Sequence, residues 1–243
     1  MIAESDSRTA LLLGDEALGR LARSHVMVVG TGGVGAYAVE MLARTGVGHL
    51  TIVDSDAVAP SNLNRQLPAL VSTLGQKKVE VLARRIADIN PDCRVDAVDA
   101  TVTAESAPEL IDARKPDFVI DAIDTIAPKV ALIVACRRSR CGLISSMGAG
   151  GRVDPLKIRY ADIADTFGDG LAREVRLRLR RQHGISRGVK VVFSEEAPSQ
   201  RALAATDERA NKRTSYGTVA WIPAQFGMML AAWAIKKLTA TTA

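Results

Sequence analysis

The sequence predicts an α/β protein built on a doubly wound, mostly parallel sheet with helices on both faces. Three observations predict it. Short apolar runs alternate with amphipathic stretches as far as residue 150, the rhythm of consecutive βαβ units. A glycine-rich turn, GTGGVG, joins the first run to the first long helix. Asp54 then closes the next run, 19 residues after the last of those glycines.

The elements follow in order. Residues 12–24 read as an N-terminal helix, 26–29 as the first strand, 33–45 as the helix after the glycines, and 50–54 as the second strand. A long polar connection fills 55–74. Residues 76–89 are helical, with Val79, Leu82, Ala83 and Ile86 on one face. CRVDAVDA (93–100) is a third strand, 104–113 a helix, and DFVIDAID (117–124) a buried strand. A helix over 128–140 leads into the strand GLISSMGA (142–149). Beyond Gly151 the rhythm changes. An arginine-rich helix over 170–183 precedes the strand KVVFSEE (190–196). Residues 197–215 are expected as a mobile loop, and an apolar helix starts near Pro223. The chain thus divides into an N-terminal helical arm (1–24), a nucleotide-binding Rossmann-like domain (25–150) and an irregular C-terminal extension (151–243) packed on the same domain.

Composition sets outer limits. The 243 residues are 47% hydrophobic, enough for a large core. Cys93, Cys136 and Cys141 contain no CxxC pair, which excludes a four-cysteine zinc site and argues against a disulfide framework. That usage fits a reducing cytoplasm, and the opening MIAESDSRTA lacks an apolar signal core. The stretch 219–235 is nearly all apolar. It is short for a span, carries Pro223 and Gln225, and ends in Lys236 and Lys237, so a buried helix is expected rather than membrane association. The net charge of +5 is compatible with an acidic polymer as partner and does not require one.

Gly30, Gly32, Gly33 and Gly35 let a backbone turn tightly and approach a ligand closely, while the following helix points free N–H groups at it. With Asp54 placed for a ribose, the pattern reads as a nucleotide site, for either a redox dinucleotide or ATP. Hydride transfer needs no added cations, because the nicotinamide carries the chemistry. ATP does need them when its α-phosphate is attacked. Arg65 and Lys78 are two such cations, and Asp124 is a carboxylate placed for Mg²⁺. Singly, a helix lysine is usually a solvated face and a strand-ending aspartate a helix cap; as a set with the glycine loop they favour ATP.

GTGGVG, VDSDAVAPSNLNRQ, GQKKVEVLARRIADINP and DAIDT together resemble the adenylating enzymes of the ubiquitin-activating superfamily, over residues 8–150. The resemblance implies ATP as cosubstrate. Its contacts would fall on the glycine loop, Asp54, Asn62, Asn64, Arg65, Lys78 and Asp124, with Mg²⁺ on Asp124. It also implies a homodimer in which Arg8 reaches the partner's γ-phosphate. Zinc-binding CxxC pairs and a cysteine beyond the sheet, both familiar in the superfamily, are lacking here. SRTALLLGDEAL, CRRSRCGLISSMGAGGRVDP and VVFSEEAP are similar to a tRNA-modifying branch that adenylates and cyclises a threonylcarbamoyl group on tRNA adenine. That branch implies tRNA as substrate and no zinc. Adenylation of a ubiquitin-like sulfur-carrier protein is the alternative, and a monovalent cation and a sulfur-transfer partner are left open.

Arg173, Arg176, Arg178, Arg180, Arg181, Arg187 and Lys190 crowd one segment with Glu174 as the sole acid in the helix. Arg173, Arg176 and Arg180 are expected to share a face at three- and four-residue spacing, with Val175 and Leu177 turned inward. A phosphate backbone would supply the missing counter-charge.

Overall fold

The computed structural model describes residues 4–204 and 215–240. Seven strands form one sheet in the order β3-β2-β1-β4-β5-β7-β6. They are β1 (His25–Val29), β2 (His49–Val53), β3 (Arg94–Val98), β4 (Phe118–Asp121), β5 (Gly142–Ser146), β6 (Ile158–Asp162) and β7 (Lys190–Ser194). All neighbours pair in parallel except β6, which runs antiparallel to β7 at the edge. The order reverses at β1, with β2 on one side and β4 on the other, and ligands of open α/β sheets bind at such a reversal. Register brings the strand ends level there: Val29 pairs with both Val53 and Asp121.

Period-two alternation along β1 feeds two cores. Val26 and Val28 face α3 (Gly35–Arg44), α4 (Lys78–Ile89) and α8 (Trp221–Thr239), whose Val39, Leu42, Leu82, Ile86, Phe226 and Leu230 complete that layer. Met27 and Val29 face the opposite layer, where Ala107 and Ile111 of α5 (Ser106–Arg114) meet Leu132 and Ala135 of α6 (Ile126–Ser139). Val175 and Leu179 of α7 (Gly170–His183) extend that side, packing with Ile133 and with Val191 and Phe193 of β7.

Three elements depart from the expected reading. The N-terminal helix is two, α1 (Ser7–Leu13) and α2 (Asp15–Arg23), because Gly14 turns the chain at φ +83°. β6 was not anticipated. Its sequence IRYAD has one buried position, Ile158, the pattern of an edge strand. Through β6 and β7 the C-terminal extension lengthens the main sheet. Of the 197–215 segment, 205–214 lie outside the described residues; before them Gln200–Ala202 forms a 3-10 turn and Leu203–Ala204 pairs antiparallel with Ser215–Tyr216. The apolar C-terminal stretch is α8, packed on α3, with Pro223 in its first turn where no N–H is needed. Among the described residues no helix is long and apolar enough to cross a membrane.

Candidate nucleotide site

The glycine loop leaves β1 at the level strand ends. Gly30 has φ +87°, and a β-carbon there would stand 2.8 Å from the carbonyl of Ala122 in the loop after β4. A β-carbon at Gly35 would overlap the carbonyl oxygen of Gly30. Both positions therefore demand glycine, one for the turn and one for tight packing of helix on loop.

Asp54, the first residue after β2, fixes this loop. Its Oδ2 accepts hydrogen bonds from the Thr31 amide at 2.7 Å and the Thr31 hydroxyl at 2.9 Å. Its Oδ1 accepts from the Asp56 amide at 2.9 Å. Lys78 opens α4 and is 3% exposed; its Nζ lies 2.7 Å from Asp56 Oδ2. So Asp54 ties the glycine loop to the turn that holds the lysine.

The connection after β2 folds back over the loop. Asn62 is buried, and its Oδ1 accepts from the Ala59 amide at 3.0 Å, which shapes the turn. Arg65 donates through Nη1 to the Ser61 carbonyl and the Asn64 Oδ1, both at 2.8 Å. Asn64 Nδ2 donates to the Thr218 carbonyl at 3.1 Å, tying the turn to the approach to α8. Side chains added at Gly32 and Gly33 would meet Gln66 and Arg65, so these two residues lie over the loop. Burial pulls the Arg65 guanidinium below its usual range, and the Asp124 carboxylate nearby opposes that shift. Asp124 is exposed, three residues past the end of β4.

Sequence reasoning missed two features. Gln66 Oε1 is buried without a hydrogen-bond partner among the described residues, a cost of about 1–3 kcal/mol that a ligand donor would offset. Beneath the site, Asp121 and Lys129 are both 0% exposed and 2.7 Å apart. Ser145 Oγ donates to Asp121 Oδ2 at 2.6 Å and accepts from Lys129 Nζ at 3.0 Å, while Asp121 Oδ1 accepts from the Ile123 amide at 3.0 Å. This cluster holds the loop that carries Asp124. A lysine inside the apolar helix IAPKVALIV, placed over an aspartate that ends a strand, was its only trace in the sequence.

The basic segment has mostly local partners. Arg176 is built in: its Nη1 donates to the Thr166 carbonyl at 2.9 Å and hydroxyl at 2.6 Å, and to the Ile163 carbonyl at 3.3 Å. Val175 is fully buried and Leu177 only partly; Ala172 and Leu179 complete the inner face. Arg173 pairs with Glu174 at 3.2 Å and Arg187 with Asp165 at 3.0 Å. Lys190 Nζ sits 4.5 Å over the Trp233 ring. Arg178 is partly buried, and Arg180 and Arg181 are exposed at the C-terminal end of α7. Arg8 is exposed on α1.

A parallel sheet with its order reversed at β1, a glycine loop at that reversal and two half-buried or buried cations beside it define a nucleotide-binding protein of the Rossmann type. The chain belongs to the ThiF family, whose model matches residues 6–243. It is 40% identical to the tRNA threonylcarbamoyladenosine dehydratase of Escherichia coli, over 97% of this chain and 93% of that one. It is 48% identical to the Bacillus subtilis enzyme of the same name, over 79% of this chain and 75% of that one. The crystal structure of the E. coli dehydratase in complex with ATP matches with a TM-score of 0.89 at 39% identity, covering 98% of this chain and 96% of that chain.

Proposed function

We infer that this protein uses ATP to adenylate and cyclise the threonylcarbamoyl side chain of N6-threonylcarbamoyladenosine in tRNA. The observation that carries the reading is the convergence of the glycine loop, Arg65, Gln66, Lys78 and Asp124 at the level ends of β1, β2 and β4, in a chain so similar to the dehydratases. The substrate's carboxylate attacks the α-phosphorus of ATP; the bond to the β-phosphate oxygen breaks and pyrophosphate leaves. The carbamoyl group of the same side chain then attacks the activated carbonyl carbon, AMP leaves, and a ring closes. One oxygen of the substrate departs on AMP, so the tRNA loses the elements of water.

The chain's own groups serve the charge. Loop amides receive phosphate oxygens, and Lys78 and Arg65 stabilise the negative charge that grows on the α-phosphate and on the leaving pyrophosphate. Asp54 holds the loop through Thr31 and, as the acid at the end of β2, would take the ribose hydroxyls. Asn62 and Asn64 keep the arginine turn in shape. Among the described residues no three His, Cys, Asp or Glu side chains converge on one point. Mg²⁺ would therefore be held by Asp124 together with phosphate oxygens and water, a usual arrangement for this cation, and would neutralise phosphate charge. Cys141 directly precedes β5, at the sheet end opposite the site, and Cys93 and Cys136 are buried. An intramolecular nucleophile makes an enzyme thioester unnecessary. The exposed Arg8 suits a contact across a homodimer, toward the γ-phosphate of the partner's site.

The test is direct. Protein, ATP, Mg²⁺ and tRNA carrying the threonylcarbamoyl group are incubated and the nucleosides analysed by mass spectrometry. Loss of one water per modified adenosine, matched by AMP and pyrophosphate, is expected. Pyrophosphate release that depends instead on a carrier protein with a Gly-Gly tail would favour sulfur-carrier activation.

A further inference from the structure

At the amino-terminal end of the sheet, away from the nucleotide site, α6 ends and β5 begins with the sequence CRRSRC. Arg140 adopts the left-handed conformation at φ +57°, and the amides of Arg140 and Cys141 both turn back to the Cys136 carbonyl, the latter at 3.2 Å. This is the closing turn that brings the side chains three residues inside and two residues beyond a helix end into contact. Here both are cysteines. The 3.2 Å bond limits the two α-carbons to a separation of about 7 Å, the outer limit of what a disulfide spans. Cys141 Sγ donates to the Cys136 carbonyl oxygen at 3.7 Å.

The two sulfurs are unequal. Cys136 is fully buried; Cys141 is partly exposed and lines a cavity of about 300 Å³ with Arg137, Leu143, Gly188, Val189 and Lys190. The cavity gives a small reagent access to one sulfur, and the Arg137 guanidinium in its wall donates to the Gly188 carbonyl at 2.9 Å. The neighbouring Cys136 thiol favours the thiolate at Cys141, while the Cys141 sulfur and burial keep Cys136 protonated. Cys93 is the contrast: burial pushes its thiol up to about 11.

We propose that Cys141 and Cys136 form a hydroperoxide-reactive dithiol, with Cys141 reacting first and Cys136 resolving it into an intramolecular disulfide. The Cys141 sulfur attacks the peroxide oxygen, the O–O bond breaks, and water or an alcohol leaves. Cys141 is oxidised by two electrons to the sulfenic acid. The Cys136 sulfur then attacks Cys141, the S–O bond breaks, and hydroxide departs as water with the Cys136 proton. Two thiols and one hydroperoxide thus give one disulfide, one water and one water or alcohol. The bridge would staple the end of α6 to the start of β5. A thiol reductant reverses it.

Hydrogen peroxide on the full-length protein provides the test, read by intact mass and peptide mapping. The expected product is a monomeric chain lighter by two hydrogens, with a Cys136–Cys141 crosslink and reduced Cys93. Limited alkylation of the unmodified protein should label Cys141 first, a readout that needs no variant. C136S should form a sulfenic acid trapped by a dione reagent at Cys141. C141S should lose peroxide reactivity by at least about tenfold. A chain-to-chain disulfide, oxidation of Cys93 at the same rate, or first alkylation at Cys136 would overturn the proposal.

Discussion

Lys78 Nζ and Asp56 Oδ2 lie 2.7 Å apart, yet the lysine side chain is 4% exposed and the aspartate side chain 66%. The cation is buried and its counter-charge stands at the surface, where a phosphate can take its place. Asp56→Ala should therefore leave an underpaired buried ammonium and destabilise the free protein by roughly 1–3 kcal/mol. Saturating ATP should recover most of that loss, so the rise in Tm on adding ATP should exceed that of the unaltered protein. Lys78→Ala should lower the rate of tRNA-dependent AMP formation by about 10²–10³-fold and cost little stability, because Asp56 stays hydrated. An equal ATP-induced Tm rise in Asp56→Ala and the parent would place Lys78 outside the phosphate site.

Asp121 and Lys129 present the opposite case, with both partners at 0% exposure. Removing one leaves an isolated charge in a dry interior. Lys129→Met should cost about 3–5 kcal/mol in a urea titration, and Asp121→Asn should be similarly damaging because the Ile123 amide and Ser145 hydroxyl also lose a charged acceptor. Pairing Lys129→Met with Asp121→Leu should recover part of the loss despite the hydroxyl left behind. Strict additivity of the two changes would show that the pair does not act as a unit.

The parts of this architecture written in local pattern were legible beforehand. The glycine loop, Asp54 at its set distance and the apolar face Val79, Leu82, Ile86 each declare a neighbour a few residues away. Gly14 shows the limit of that logic: its positive φ splits one amphipathic pattern into two helices, and nothing in the periodicity records it. Features that depend on distant pairing were not legible. β6 forms because β7 offers it an edge, and the pairing of Lys78 with Asp56 and of Lys129 with Asp121 arises only when separate turns meet. Arg176 looked like its neighbours in sequence and differs only because the Ile163–Asp165 turn lies against it. Of the site, the residue types were readable and their partners were not.

His25 gives a pH prediction. Its ring stacks on His49 with centroids 3.7 Å apart, and its Nε2 lies 2.8 Å from Thr51 Oγ1. Burial first, then the neighbouring His49, push it down from 6.5 to about 4, with Arg94 adding to the fall and Asp117 and Asp96 opposing it. The unfolded chain takes up a proton near pH 6.5 that the folded chain refuses until about pH 4. Stability is therefore full above pH 6.5, declines as pH falls toward 4, and loses nothing more from this group below that. In urea denaturation from pH 7 to pH 4, His25→Gln should flatten the decline. A slope unchanged by the substitution would assign the acid sensitivity to other groups.

The tRNA surface can be narrowed by what the arginines already do. Arg176 satisfies the carbonyls of Ile163 and Thr166 and is committed to the fold, so Arg176→Glu should destabilise the protein whatever α7 binds. Arg173 and Arg187 have acidic partners, and Lys190 is engaged with Trp233. Arg180 and Arg181 are left as exposed cations in the last turn of α7, where the helix dipole favours them and a phosphate chain can reach them. Reversing both to Glu should weaken tRNA binding and leave ATP binding and Tm nearly unchanged. The decisive measurement is the salt dependence. The slope of log Kd against log salt should fall by roughly one unit for each phosphate that the protein no longer neutralises, whereas a general weakening of long-range attraction would lower affinity without so discrete a change in slope. If affinity and slope both match the parent across the salt series, α7 is not the docking surface, and the same double reversal should next be made at Arg201 and Arg213.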